Sequence, residues 1–270
     1  MISSSYVNLA RNKIRMAFKN IQTEYRESIL IARINRPEVK NAMNVQFIRD
    51  LDCLLEEVLS RKDIRAIIIT GNNEAFASGG DISEMLLMGE SQAYEVSRLV
   101  HHTFSKIETL PIPVIAAVNG LAMGGGCELV MWCDFCIAAS DAVFALPEGI
   151  LGIIPGGGGT QLFSRISGKN NALYFLMTGD SFSAEKAMQM GIVQHITSPE
   201  NVILNAISIA EKIIKRPGAS LRELKQVVVK GQKADFSSAL KMEAEAFGRL
   251  VGNEGKKGLK TFFEKKKQKD

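Results

Sequence analysis

Two glutamates set in glycine-rich segments are the residues of this 270-residue chain best suited to proton chemistry. Glu128 follows three consecutive glycines and a cysteine, and Glu148 lies in the segment 144–149, shortly before four consecutive glycines. A carboxylate is costly to bury without a partner, so an acid embedded in apolar, glycine-rich sequence indicates a functional group. We therefore predict that these two acids are catalytic and exchange protons with a substrate.

The glycines around the acids would supply a second component, a pair of backbone N–H donors. The triplet 124–126 precedes a helical pattern at 127–132, so it would direct free N–H groups and the positive end of a helix dipole at one point. Gly80, in the segment 77–81, offers another exposed N–H in the same way. Two such donors converging on one oxygen form an oxyanion hole. The alternative is that these glycines only permit close packing.

Several other motifs favour structural interpretations. The four glycines at 156–159 lack both the lysine–serine ending of a phosphate-binding loop and the spacing of a dinucleotide motif, so a tight turn is predicted there. Asp81 is predicted to cap the helix that follows it, and Trp132 to lie in the core. Cys133 and Cys136 have the spacing of a redox pair but lie in an apolar run, which favours packing. The three histidines are scattered without acidic or cysteine ligands, so no metal site is expected.

The composition indicates an ordinary globular protein. With 46% hydrophobic residues, the chain can bury one substantial core. The uncharged stretch 109–127 is long enough for a membrane span, but its prolines and glycines predict a buried strand and a loop instead, so no membrane partner is expected. The cysteine contexts and the lack of a signal-peptide pattern favour the cytoplasm, or the mitochondrial matrix if the protein is eukaryotic. The net charge of +4 comes from basic chain ends typical of solvated faces, and no nucleic-acid partner is expected.

Short β-rich runs alternate with longer helical patterns, which predicts βα units and largely parallel sheets. Asn44 is predicted to cap a helix with an apolar face. We divide the chain into an N-terminal extension at 1–17, an α/β catalytic core at 18–200 and a helical region at 201–270 whose apolar faces favour self-association. Strands are predicted at 29–34, 66–70, 114–118 and 135–139, and C-terminal helices at 202–214, 220–230 and 237–250.

Taken in order, several segments resemble the enoyl-CoA hydratase/isomerase (crotonase) superfamily, with similarity from about residue 18 to residue 267. The resemblance implies an α/β fold, a crotonase-like spiral of ββα units with a helical C-terminal trimerisation region. It also implies a homotrimer or a hexamer built as a dimer of trimers. The matching segments are 35–44, 71–85, 113–134, 144–161, 176–179 with 183–193, and 253–266.

The same resemblance implies that the substrate is an acyl thioester of coenzyme A (CoA). The N–H groups of Gly80 and Gly125 correspond to the oxyanion-hole pair that holds the thioester oxygen. No cofactor is expected, because holding that oxygen lowers the pKa of the neighbouring α-proton. The backbone around Lys40, Asn41 and Ala42 corresponds to the segment that binds the adenine of CoA. Phe262 and Lys265 correspond to a tail that can reach the CoA of a neighbouring subunit.

The two acids favour one activity within the superfamily, because hydratases resemble this chain in keeping both glutamates. The implied function is an enoyl-CoA hydratase, which adds water in the syn sense to a 2-enoyl-CoA and gives a 3-hydroxyacyl-CoA. Glu148 is assigned as the proton donor to C2 and Glu128 as the main base that positions the water, although the pair would titrate jointly. Leu146 replaces a frequent glutamine and Gly149 a frequent branched residue, so the surroundings of Glu148 are expected to be more apolar and to raise its pKa.

Three alternatives remain open from the residues. A raised pKa at Glu148 would also suit a double-bond isomerase that shuttles one proton. A dehydratase acting on a carrier-protein-bound acyl group would need the pantetheine arm but not the adenine contacts. A non-catalytic thioester-binding or RNA-binding relative would use the basic surface, which fits poorly with two retained acids.

Overall fold

The computed structural model describes residues 18–72 and 74–267, except for the side chains of 265–267. The predicted extension at 1–17 lies outside the described residues. Strands of the described residues form a six-stranded sheet and a four-stranded sheet. The strands are β1 Ile21–Arg26, β2 Ile29–Ile34, β3 Ala66–Thr70, β4 Ala75–Ala77, β5 Val114–Val118, β6 Leu121–Met123, β7 Phe135–Ala139, β8 Val143–Ala145, β9 Phe182–Ser183 and β10 His195–Thr197.

The helices follow the predicted alternation and then dominate the C-terminal part of the chain. Among the described residues, no helix is both long and apolar enough to cross a lipid bilayer. The helices are α1 Val45–Ser60, α2 Ile82–Met85, α3 Glu90–Thr109, α4 Gly125–Trp132, α5 Gly159–Ser167, α6 Lys169–Thr178, α7 Ala184–Gln189, α8 Val202–Ile214, α9 Gly218–Gly231, α10 Phe236–Gly252 and α11 Gly255–Lys267.

The strands alternate between the two sheets as the chain advances, which produces the spiral. The larger sheet has the order β1-β2-β3-β5-β7-β10 and the smaller sheet the order β4-β6-β8-β9. Thus β3, β5 and β7 each enter the larger sheet, and β4, β6 and β8 follow them into the smaller one. All neighbours are parallel except the β1–β2 and β8–β9 pairs. The predicted α/β spiral is therefore confirmed.

Packing explains why these segments form these elements. Strands β3 and β5 are buried at every position, as expected of parallel strands that are covered on both faces. Asn44 caps α1 by accepting a hydrogen bond from the Phe47 amide at 2.8 Å. The face of α1 that carries Phe47, Leu51 and Leu54 is buried in the core, as the apolar pattern predicts.

Candidate active site

The three main components of the site follow three neighbouring strands of the smaller sheet. Strands β4, β6 and β8 run parallel and adjacent to each other. Gly80 comes shortly after β4, Gly125 after β6 and Glu148 after β8. Because the carboxyl ends of parallel strands lie at the same edge of a sheet, the topology brings these three positions together.

Glycines allow the loops at this edge to approach each other closely. A Cβ atom on Gly126 would lie only 2.5 Å from the carbonyl oxygen of Ala77, so α4 packs directly against the end of β4. The Gly124 amide donates to the Ala145 carbonyl at 2.8 Å, which ties the same loop to β8. A Cβ atom on Gly125 would lie 3.7 Å from the Gly80 nitrogen, so the two predicted donors lie close together.

Both predicted donors have their N–H groups available. Gly80 lies in an isolated bridge with Met43, and that bridge uses the Gly79 carbonyl and the Asp81 amide. Gly125 is the first residue of α4, where an N–H has no acceptor within the helix. Within the described residues, no hydrogen bond from either amide is found. The pair can therefore bind an external oxygen.

Glu128 is fixed by the loop that contains the four glycines. Its side chain is buried, and its Oε1 atom accepts hydrogen bonds from the amides of Gly157 and Gly159, both at 2.7 Å. Gly159 is also the first residue of α5, so the positive end of that helix faces the carboxylate. Burial, and then the charge of Glu148, raise the pKa of Glu128 to about 7, while the two amides oppose the shift.

The prediction of a tight turn at 156–159 is thus incomplete, because two amides of this bend also hold Glu128. A Cβ atom on Gly157 would lie 2.7 Å from Oε2 of Glu128, and one on Gly159 would lie 2.9 Å from Oε1. These positions are glycine because the carboxylate occupies the space that a side chain would need. Neither Gly157 nor Gly159 was predicted to be a functional residue, although a glycine run in a chain with a buried acid can indicate that its amides bind the carboxylate.

Glu148 has a different environment. It lies in a short 3-10 helix, Pro147–Leu151, and its Oε2 atom is buried without a hydrogen-bond partner among the described residues. Burial raises the pKa of its carboxyl group above the usual value, as the apolar sequence around it predicts. A Cβ atom on Gly124 would lie 2.8 Å from Oε1 of Glu148, whereas one on Gly125 would lie 3.8 Å from Oε2 of Glu128. Two adjacent glycines therefore each face one of the acids.

An ion pair between Arg36 and Asp81 stabilises the loop that contains Gly80. Asp81 caps α2 by accepting from the Ser83 amide at 3.1 Å, as predicted. It also binds Nη1 of Arg36 at 2.8 Å, and the same atom donates to the Ala42 carbonyl at 2.6 Å. The guanidinium thus connects the Gly80 loop to the neighbouring segment around Ala42.

Comparison with known proteins is consistent with this geometry. Residues 24–269 match the model of the enoyl-CoA hydratase/isomerase family. The chain belongs to that family. It is 37% identical to a short-chain-enoyl-CoA hydratase of Clostridium acetobutylicum over 93% of this chain and 97% of the relative. It is 38% identical to a crotonyl-CoA hydratase of Syntrophomonas wolfei over 93% of this chain and 98% of the relative.

Solved structures of the enoyl-CoA hydratase/isomerase family share the fold. A crystal structure of an enoyl-CoA hydratase from Bacillus anthracis has a TM-score of 0.87 at 34% identity and covers 92% of this chain and 97% of that one. An enoyl-CoA hydratase subunit from Geobacillus kaustophilus has a TM-score of 0.88 at 34% identity, with coverage of 92% and 96%.

Among the CoA-binding positions expected for the enoyl-CoA hydratase/isomerase family, three lie beside the Gly80 loop. Lys40 and Asn41 have φ angles of 49° and 59° in the left-handed region, which turns the chain sharply. The Asn41 side chain is buried and donates to the carbonyls of Ala75 and Phe76, so it supports β4 and is not free to contact a ligand. The Lys40 side chain is exposed, and Ala42 is half-buried.

The two remaining CoA-binding positions lie far along the chain. Phe262 is 72% exposed on α11, which packs mainly against α10. The backbone of Lys265 belongs to α11, but its side chain lies outside the described residues. The fold therefore does not place Phe262 beside the glycine loops of its own subunit, and its contact with CoA stays a prediction.

The expected core position of Trp132 is confirmed in part. It is half-buried and packs against the core, and its indole N–H donates to the Gly157 carbonyl at 2.7 Å. It therefore also contacts the loop that holds Glu128. Within the described residues, no group of three or more histidine, cysteine, aspartate or glutamate side chains could hold a metal ion.

Proposed function

We propose that this chain is an enoyl-CoA hydratase that reversibly adds water to a 2-enoyl-CoA and gives a 3-hydroxyacyl-CoA. The observation that carries the proposal is the meeting of the buried Glu128, the half-buried Glu148 with its buried Oε2 atom, and two uncommitted backbone amides at one edge of the smaller sheet. The hydratase relatives from C. acetobutylicum and S. wolfei support the same activity. A reaction that used only one acid would not explain why positions 128 and 148 both carry glutamate.

The geometry assigns a role to each group. The N–H groups of Gly80 and Gly125 bind the thioester oxygen and stabilise the negative charge that develops there. Glu128 is the base, because two amides stabilise its charged form. It accepts a proton from water while the oxygen of that water bonds to C3, and the electrons of the double bond move toward the thioester oxygen.

Glu148 completes the addition as the acid. Its buried and unpartnered Oε2 atom favours the protonated form, since an ion there would lack compensation. It donates that proton to C2, and proton exchange between the two acids restores the starting state. No cofactor enters this scheme, because the held oxygen and the two acids supply every proton and charge that the reaction needs.

The partners and the compartment are part of the same proposal. The substrate is an acyl-CoA, and we place its nucleotide near the exposed Lys40. A homotrimer or a hexamer would cover apolar residues that the single chain exposes on its C-terminal helices, and it would allow Phe262 and Lys265 to reach a neighbouring subunit's CoA. We expect the enzyme to work in the cytoplasm. The exposed apolar residues include Leu224, Val228, Phe236, Leu240 and Phe247.

The test is a spectrophotometric assay with crotonyl-CoA, whose conjugated enoyl thioester loses absorbance when it is hydrated. We expect turnover without an added cofactor, and near-complete loss of rate in Glu128→Gln and in Glu148→Gln. Unchanged turnover in both variants would refute the assignment. A panel of short, medium, branched and aromatic enoyl-CoAs would then define the acyl preference.

A double-bond isomerase is the second candidate, since the unpartnered Glu148 oxygen could also shuttle one proton. A 3-enoyl-CoA substrate distinguishes the two activities, because isomerisation creates conjugation and raises the absorbance. Comparison of CoA-linked and carrier-protein-linked substrates tests the dehydratase alternative in the same assay.

A further inference from the structure

The loop that holds Glu128 is itself held by two side chains from other elements. The hydroxyl group of Ser97, on α3, donates to the Gly156 carbonyl at 2.7 Å. The indole N–H of Trp132, on α4, donates to the Gly157 carbonyl at the same distance. Both acceptors belong to peptide units of the loop that supplies the amides for Glu128.

The Ser97 bond acts on the same peptide unit that binds the acid. The carbonyl of Gly156 and the N–H of Gly157 belong to one peptide bond, and that N–H donates to Oε1 of Glu128. A donor on the carbonyl polarises the peptide and strengthens donation by its N–H group. Ser97 therefore fixes the plane of the peptide and increases its capacity to hold the carboxylate.

Trp132 restrains the next peptide unit. It lies four residues after Glu128 on α4, so both side chains project from the same face of the helix. Gly158 has a φ of +109°, and a Cβ atom there would lie 3.1 Å from the indole ring. The ring thus packs against the bare Cα of Gly158 while its N–H holds the neighbouring carbonyl.

A loop of four glycines needs such restraints. Glycine loses more conformational freedom on folding than any other residue, so contacts from other elements are needed to hold this segment in one conformation. A misplacement of catalytic groups by about 1 Å can cost on the order of a hundredfold in rate. We propose that Ser97 and Trp132 are positioning residues, which act on the reaction only by holding the glycine loop against Glu128.

The fluorescence of Trp132 provides a way to test this role. Trp132 is the only tryptophan of the chain. Together with Gly158, it lines a groove of about 1260 Å³. Ionisation of Glu128 changes the strength of its bonds to the loop, so the indole fluorescence should follow that titration. Besides Glu128 itself, the titratable or charged groups that interact with it or line this groove are Glu148, Cys127, Arg98, His101, His102, Glu108, Cys133, Asp134, Arg165, Lys225 and Lys233.

The first experiment measures tryptophan fluorescence of the full-length free protein from pH 5.5 to 8.5. We expect one transition that disappears in Glu128→Gln. The transition should persist in a double variant in which His101 and His102 are both glutamine, which controls for the two histidines that line the same groove as Trp132. A transition that survives Glu128→Gln would overturn the proposal.

The second experiment uses kinetics, and this part alone rests on the proposed hydratase activity. In Ser97→Ala we expect kcat to fall about tenfold with KM within about twofold. The acidic limb of the kcat/KM profile should move to higher pH, since weaker amide bonds stabilise the carboxylate less. Ser97→Thr, which keeps the hydroxyl group, should restore both properties.

The controls separate positioning from general stability. Ser105, on the same helix, donates its hydroxyl group to the His102 carbonyl at 3.0 Å and makes no hydrogen bond to the loop among the described residues, so Ser105→Ala should leave kcat and the pH profile unchanged. Trp132→Phe should repeat the Ser97→Ala effect. If Trp132→Phe does not fold, the comparison of Ser97→Ala with Ser97→Thr tests the proposal instead. Identical pH profiles for Ser97→Ala and Ser97→Thr would overturn the proposal. Because the fluorescence titration requires no turnover, an inactive protein that still shows it would refute the hydratase function and keep the positioning role.

Discussion

The two acids differ in what surrounds them, although both follow glycine-rich sequence. Glu128 has one oxygen bound by two amides and lies on a regular helix. Glu148 lies on a short 3-10 helix and has a buried oxygen without a partner among the described residues. In the first environment two hydrogen bonds stabilise the charged form against the effect of burial, and in the second the buried oxygen has no hydrogen bond that would stabilise a charge.

This difference shows how one edge of a sheet can provide both a base and an acid. Burial raises the pKa of both groups, so it does not distinguish them. The distinction comes from the hydrogen bonds that remain after burial, which favour the ion at Glu128 and the neutral form at Glu148. Each of the following changes alters one side of this comparison.

The largest effect is expected when either acid is replaced by its amide. Glu128→Gln and Glu148→Gln should each lower kcat by about 10³-fold, within the range of general acid–base catalysis. The double variant should lose little more than either single variant, because the two acids serve one proton-transfer sequence. Steady-state hydration of crotonyl-CoA measures all three.

The matched control is Glu95→Gln, which changes an exposed glutamate on α3 and should keep wild-type rates. If the losses of the two single variants instead multiplied in the double variant, the acids would act independently and the comparison would fail.

A smaller loss is expected when the space beside Glu148 is filled. Gly124 has a φ of +48°, and a Cβ atom there would lie 2.8 Å from the Glu148 carboxylate. Gly124→Ala should therefore lower kcat by about a hundredfold by displacing the acid and the adjacent oxyanion loop. Gly168→Ala is the control, since Gly168 has a φ of +82° but nothing within 4 Å of the added atom. Equal kinetic losses in the two variants would point to backbone strain alone.

The burial of Glu128 should make the free energy of unfolding depend on pH. Its folded-state pKa of about 7 exceeds the ordinary value of 4.5, so the folded protein binds more protons than the unfolded chain between these values. Wild-type stability should therefore fall relative to Glu128→Gln as the pH rises through this window, by on the order of 3 kcal/mol. Denaturant unfolding of both proteins at pH 5 and pH 8 measures the change. A stability difference that stays constant with pH would contradict the raised pKa.

The smallest effect is expected at the oxyanion amide itself. A Cβ atom on Gly80 would lie 3.2 Å from the terminal methyl group of Met85, which is flexible and can move. Gly80→Ala keeps the N–H group, so kcat/KM should change by less than about threefold. A loss as large as that of Gly124→Ala would show that the Gly80 loop has less freedom than the structure indicates.

Prediction from the sequence succeeded for elements whose own residues show a clear capping or apolar pattern. The helix capped by Asn44 and the wholly apolar strand Val114–Val118 have patterns that local geometry decides. The edge strand β1 was not predicted, because its polar and apolar residues alternate over only six positions. The three-residue strands β4, β6 and β8 are too short to show a period, although they position the site.

The roles of the glycines depended on contacts between distant segments. Nothing local to 156–159 indicates that its amides bind Glu128, because that contact follows from the packing of α4 against α5. Likewise, the indole of Trp132 is apolar enough to suggest a core position, but its N–H group needs an acceptor when it is partly buried. Composition and periodicity carry no information on which carbonyl supplies that acceptor.

The most direct test of the central claim follows the proton delivered to C2. Crotonyl-CoA is hydrated in D₂O, and the configuration of the product at C2 and C3 is read by NMR. If the two acids act from one side of the substrate, the product should carry one deuterium at C2 in a single diastereomer, corresponding to syn addition. A mixture of diastereomers, or the product of anti addition, would contradict an active site in which Glu128 and Glu148 work together on one face of a held thioester.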